Sequence, residues 1–316
     1  MLSRVAERMY WFGRYVERIE NISKLINVNT NLVLDLPKVK YIWGSLISIT
    51  GYEAQFSDRF SVQDEKNVIK FLLEDDNCSI MTSIRMAREN ARTTREIMPN
   101  EAWVKINKLY FYMQKNLSHA IKREGRHQVL QEITEKCQEL RGYLSGCMSL
   151  DEGYNFLTIG TELERADMTT RILDVGCLNL INAEHSEILE SETILWMNVL
   201  QSLSAYQMYR QHVDDRVNDQ DVVEFLLKDE KFPRAVAQCL ADVNASFTLL
   251  PNNDEPLRSV TRAQRSVSNA DVVSLLGDST LHDFIDEVQA DLGDIHRQMS
   301  STWFQHLTVV EPAVSE

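Results

Sequence analysis

The feature that most constrains this chain is a signature that occurs twice. Residues 3–28 read SRVAERMYWFGRYVERIENISKLINV, and about 150 residues later 160–175 read GTELERADMTTRILDV. Gly13 aligns with Gly160, Glu17 with Glu164, Arg18 with Arg165, Lys24 with Arg171 and Val28 with Val175. The echo continues downstream. FLLEDD (71–76) matches FLLKDE (225–230), and CSIMTSIRMARENAR (78–92) matches FPRAVAQCLADVNAS (232–246) through Ala87/Ala241, Asn90/Asn244 and Ala91/Ala245. Offsets held between 147 and 155 across several segments imply a duplicated unit, and the period is far too long for a solenoid.

The repeated segments have helical periodicity. Val5, Met9, Phe12, Val16, Ile19 and Ile26 form one apolar stripe at spacings of three, four and seven. Glu7, Arg14, Arg18 and Asn21 lie opposite with Trp11 and Leu25 among them, which suggests a second, polar packing surface. Helices are expected to Asp35, where Leu36 and Pro37 end the first, and over 41–56, 64–74, 78–92, 100–121, 128–148, 151–179, 195–213, 270–276 and 281–304. Asp64 is the expected cap of the third, with a second capped start near Asp219. The stripe Leu130, Ile133, Cys137, Leu140, Leu144 is repeated by Phe284, Val288, Leu292, Ile295, Met299. Residues 252–269 are polar, carry Pro256 and read as the longest loop. The tail from Val309 reads as loose. Eleven Gly and six Pro are few for 316 residues, and no strand-like alternation is present. The expected fold is all-α, an internally duplicated helical bundle of two pseudo-equivalent halves sharing a core. It forms a single domain over 1–316, with repeats near 1–150 and 151–308.

A formal charge of −14 argues against general affinity for nucleic acid or an anionic membrane. Cys78, Cys137, Cys147, Cys177 and Cys239 include no C-x-x-C pair and read as buried free thiols of a reducing compartment. The charged N-terminal stretch is no secretory signal, and no run of about 18 apolar residues occurs. A cytoplasmic location is expected.

Chemistry is less legible. Arg85, Arg88, Arg92 and Arg95 share one helical face beside the core stripe Ile84, Ala87, Ala91, Thr94, Met98. Their planar forks suit carboxylates or phosphates, whereas the bland alternative is an exposed face salt-bridged to Glu89 and Glu96. The second half carries Cys239, Asp242, Ser246 and Leu249 there, so an anion site would belong to the first half. Glu17, Arg18, Glu164 and Arg165 would be buried as matched pairs fixing the register of two helices, because an unpaired internal charge is costly. A catalytic role for Glu17 or Glu164 is the alternative. For metals, four-helix carboxylate sites use Glu-x-x-His on facing helices, and no such pairing of the seven scattered His is found. There is no phosphate loop, nucleophile elbow or H-E-x-x-H motif.

The segments SRVAERMYWFGRYVERIEN, SIRMARENARTTREIMPNEAWVKIN (83–107), LTIGTELERADMTTRILD (157–174) and FLLKDEKFPRAV (225–236) together resemble the bacterial Alpha-E proteins, an all-helical domain of unknown function named for a Glu-Arg motif. Such proteins are typically encoded beside circularly permuted ATP-grasp ligases, often with transglutaminase-like proteins and sometimes a proteasome-like peptidase. The resemblance implies a role in making or tailoring a peptide. It places motif residues at Glu17, Arg18, Asn21, Arg85, Arg88, Asn90, Arg92, Arg95, Glu164, Arg165 and Asp167. Ile19 and Ile22 stand where small residues are expected, and Met168 where Asn occurs.

These readings lead to an accessory subunit of an ATP-grasp ligase. Its anion- or partner-binding face would draw on Arg14, Arg18, Asn21, Arg85, Arg88, Asn90, Arg92, Arg95 and Arg165. An acidic peptide, an acyl-phosphate or the ligase itself would be the guest. ATP and Mg²⁺ would be the ligase's, with no cofactor of this chain's own. The competing readings are a stand-alone enzyme using Glu17 or Glu164 as general base and a purely structural scaffold.

Overall fold

The computed structural model describes residues 2–35, 42–181, 188–214 and 216–304, which are helical with short connections and no strand among them. The first half comprises α1 (Ser3–Asp35), α2 (Ile42–Thr50), α3 (Glu53–Ser57), α4 (Glu65–Glu74), α5 (Ile80–Thr93), α6 (Asn100–Ile121) and α7 (Arg123–Cys147). The second comprises α8 (Glu152–Ile181), α9 (Ile188–Ser202), α10 (Tyr206–His212), α11 (Asp219–Lys228), α12 (Val236–Thr248), α13 (Asp254–Asn269), α14 (Val272–Gly277) and α15 (Leu281–Met299), closed by a π turn at Ser300–Phe304.

Local chemistry sets many of these boundaries. Asp64 accepts the Asn67 amide at 2.8 Å and starts α4. Asn218, one residue before the expected Asp219, caps α11 by accepting the Asp221 amide at 2.9 Å. The long helix expected over 41–56 breaks at Gly51, whose φ of +70° a side chain adopts only with strain. Its counterpart over 195–213 breaks near Ser204, with φ of +55°. Of residues 252–269, read as a loop, Asp254 to Asn269 instead form the amphipathic α13. Pro256 lies in its first turn, where no backbone N–H is needed. Its buried positions Ser259, Val260, Ala263 and Val267 follow helical spacing inside a polar surround. The expected stop at Leu36 and Pro37, the start at Tyr41 and the tail from Val309 lie outside the described residues.

Helices α1 and α8 pack against each other at the centre, which is why both are buried on more than one face. Helices α5 and α7 lie on α1, while α12 and α15 lie on α8. Helix α6 spans α5 and α7 as α13 spans α12 and α15. One apolar core runs from Ala6 to Phe304 and draws on both halves. The two predicted stripes of α7 and α15 face it, with only Phe284 partly exposed. Of the five thiols, Cys78, Cys137 and Cys239 are buried as read, whereas Cys147 is exposed and Cys177 half-buried. No described helix is long and apolar enough to cross a membrane.

Candidate functional site

The repeated glycines mark the point where α1 and α8 touch. A Cβ added to Gly160 would sit 2.1 Å from the Tyr10 carbonyl oxygen, and one added to Gly13 would sit 2.3 Å from that of Leu157. Only glycine permits backbones this close. One helical turn further on each helix stand Glu17 and Glu164, on the same face as the glycine that precedes them.

The two Glu-Arg pairs exchange partners across this crossing. Arg18 donates from Nε to Glu164 Oε1 at 2.5 Å and from Nη2 to Oε2 at 3.0 Å. In the other direction Arg165 Nε lies 3.3 Å from Glu17 Oε2. Both carboxylates are only 1% exposed. Each is answered by further cations. Arg14 Nε donates to Glu164 at 2.5 Å and is itself held by Tyr10, whose hydroxyl accepts from Arg14 Nη1 and lies 2.9 Å from His296 Nδ1 on α15. Arg141 of α7 bridges Glu17 and Glu20. Arg234 Nη1, just before α12, lies 2.8 Å from Glu17 Oε1 but donates to Asn21 Oδ1, also at 2.8 Å, while its Nη2 donates to Glu20 Oε1 at 3.3 Å. Lys24 pairs with Glu20 at 2.7 Å as Arg171 pairs with Asp167 at 2.9 Å.

These contacts decide the protonation states. Burial alone would raise the Glu164 pKa, but Arg14 and Arg18 overcome it and hold the carboxyl down at about 2. Burial opposes ionisation of Glu17 too, and Arg234, Arg165 and Arg141 together hold it well below the ordinary carboxylate range. Both are anions ringed by guanidiniums, which makes them poor proton acceptors at neutral pH. This arrangement favours the register-fixing role of Glu17 and Glu164 over a general-base one. Glu162, which sequence reasoning passed over, behaves in the opposite way: burial pushes it up to about 7, reinforced by Glu17 and Asp242 against the pull of Arg165. Its Oε1 accepts from Arg165 Nη1 at 2.7 Å, and its buried Oε2 has no hydrogen-bond partner.

Two clefts flank the crossing. The larger, about 410 Å³, opens between α1, α7 and α8 and reaches Glu17, Arg141, Glu162 and Arg165. The smaller, about 230 Å³, lies beside Arg14, Arg18 and Arg171 with Tyr52 and Gly51 at its edge. Among the described residues, no cluster of three His, Cys, Asp or Glu could hold a metal ion.

Arg85, Arg88 and Arg92 of α5, and Arg95, which lies in the turn after that helix ends at Thr93 and so is not on the expected single helical face, are elsewhere. The sequence reading put them with Arg14, Arg18 and Arg165 on one anion-binding face; instead none of them lines either cleft. They form an open face with α6. Arg92 pairs with Glu89 at 2.7 Å, as the bland reading expected for this face. Arg85 bonds the Asp76 carbonyl at 3.1 Å. Arg88 donates to Asn107 Oδ1 at 2.6 Å and lies 4.8 Å from the Tyr110 ring centroid, while Arg95 lies 3.9 Å from that of Trp103. Phe111 beside them is 58% exposed. Asn90 is half-buried at the inner margin of this face, its carbonyl accepting from Thr94 at 2.8 Å. Arg141, Arg234 and Glu162, which the sequence reading missed, carry no repeat signal, because each belongs to one half only.

A family model described as a predicted alpha-helical domain with a conserved ER motif matches residues 1–304. The chain belongs to the Alpha-E family. The Glu-Arg pairs that exchange partners at the crossing fit that motif, and the all-helical architecture fits the description. No curated protein and no solved structure matches this Alpha-E chain.

Proposed function

We propose that this Alpha-E protein is an accessory subunit of an ATP-grasp-type ligase in peptide synthesis or modification, and that the α5–α6 face docks an acidic surface of that ligase. The observation that carries the reading is the cation–aromatic face itself. Among the described residues only Arg92 of Arg85, Arg88, Arg92 and Arg95 is paired with a carboxylate, while Arg88 and Arg95 are spread over half-buried aromatic rings. Arginine stacked on aromatics retains in-plane donors for a partner's carboxylates, and Trp, Tyr and Arg are the residues that dominate binding energy at interfaces. Residues 85–115 hold seven Lys and Arg against three Glu in a chain whose overall charge is −14. The asymmetry is molecular in scale: residues 1–150 hold 22 Lys and Arg against 18 Asp and Glu, and residues 151–316 hold 11 against 29. Such a field orients an acidic partner toward the first half. The ligase as that partner comes from the family resemblance, with ATP and Mg²⁺ on its side of the complex.

Arg88→Glu with Arg95→Glu is expected to weaken ligase binding by about 100-fold, roughly 3 kcal/mol, chiefly through loss of stacked, desolvated contacts. Titration of the purified ligase against parent and variant measures it. Equal affinity for both rules out this face.

A duplication of one ancestral bundle accounts for the architecture. Its supports are the reciprocal Gly13/Gly160 contact, the exchanged Glu-Arg pairs, the parallel helix pairings of the two halves, and left-handed breaks at Gly51 and Ser204.

A further inference from the structure

The register of α1 against α8 does not require a cavity, yet one of about 410 Å³ adjoins the crossing. That is within the range of small-molecule sites and near its lower end. Its charged floor is Glu17, Glu162, Arg141 and Arg165, and Phe12, Val16 and Leu157 give it an apolar wall. Behind the floor stand Arg234, Lys24 and Glu20. With Asp242 of α12, which also faces Glu162, four cations stand against four carboxylates. One buried floor atom, Glu162 Oε2, has no hydrogen-bond partner, and Glu162 is only 6% exposed. Buried polar atoms are seldom left so unless a ligand or water meets them.

We infer that this cleft binds the carboxylate end of a ligand of amino-acid to dipeptide size, with Arg141 and Arg165 facing the carboxylate and a short apolar side chain lying on Phe12, Val16 and Leu157. With Glu162 protonated the cluster carries a surplus of one positive charge, which matches a monoanion, whereas a phosphate dianion would leave it net negative. Glu162 tunes this balance. Facing it are Arg165 on its own helix, Glu17 on α1, Arg141 on α7 and Asp242 and Cys239 on α12. A raised affinity for protons lets it neutralise as the anion enters. None of the α5 arginines lines the cleft, so the inference stands independently of the docking face.

Gly142 provides a test that leaves the charges alone. It is an exposed position of α7 at the rim, where an added Cβ meets nothing within 4 Å. Gly142→Phe therefore covers the mouth without disturbing the floor. The full-length chain is titrated by calorimetry with a panel of N-acetylated amino acids up to about 10 mM, with inorganic phosphate as a separate arm. At least one carboxylate is expected to bind the parent and to bind Gly142→Phe about ten-fold or more weakly. If that variant misfolds, Ser145→Phe, a neighbouring exposed lining position, gives the same reading. Binding by no member of the panel, equal binding to the blocked variant, or phosphate binding tighter than every carboxylate overturns the inference.

Discussion

Three glutamates within one small volume are set to different tasks by their neighbours. Glu164 and Glu17 are ionised clamps because guanidiniums outweigh the burial penalty, and Glu162 titrates near neutrality because burial outweighs the one arginine that hydrogen-bonds it. The signs of their pH effects are opposite. Glu164, depressed from 4.5 to about 2, adds stability that is present above pH 4.5 and lost as pH falls through 2. Glu162, raised from 4.5 to about 7, keeps a proton that the unfolded chain has released, so stability falls as pH rises from 4.5 to 7. Each window corresponds to about 3 kcal/mol. Glu162→Gln should therefore be more stable than the parent by about 2–3 kcal/mol at pH 8 and nearly equal to it at pH 5, as measured by denaturant unfolding at both values. A difference that is the same at both pH values would show that Glu162 titrates normally.

Among the elements, the α1–α8 crossing sets the geometry of everything else. Gly160→Ala places a methyl against the Tyr10 backbone, and backbone yields less readily than a side-chain tip. A loss of about 3 kcal/mol is expected from this overpacking. Gly146→Ala on α7, where a Cβ meets nothing within 4 Å, should be neutral or stabilising by up to about 1 kcal/mol. Thermal unfolding of the pair checks both, and equal shifts would mean that the helices separate easily. The crossing was legible in the sequence because both of its glycines and both Glu-Arg pairs recur at one offset. Long helices with few breakers were legible for the same kind of reason: their apolar stripes are wide and periodic. Helix α13 was not, because its stripe is narrow and small-residued and Pro256 looked like a terminator when it was a first-turn residue. Nor could Arg141 or Arg234 be found as partners of Glu17, since spacing along a chain reports on one helix face and says nothing of a cation delivered by another element.

At the scale of the molecule, the buried Glu-Arg network at the helix crossing and the exposed cationic face of α5–α6 lie apart. The Glu-Arg motif is consumed in holding two central helices together, while positive charge left over beside the crossing and across α5–α6 faces outward. The sequence reading merged these into a single arginine-lined face, because residue types alone do not distinguish a guanidinium locked on a buried carboxylate from one lying over an aromatic ring. If the motif is architectural, then Glu164→Gln, which leaves Arg14 and Arg18 without their anion, should cost about 3–5 kcal/mol of unfolding free energy. Under conditions where the variant is still folded, it should bind the ligase with the parent's affinity. The direct measurement is the denaturant unfolding free energy of Glu164→Gln beside the product formation it supports with the proposed ligase partner. The account predicts a large loss of stability with product formation retained by the folded fraction; a variant as stable as the parent yet unable to support product formation would contradict it.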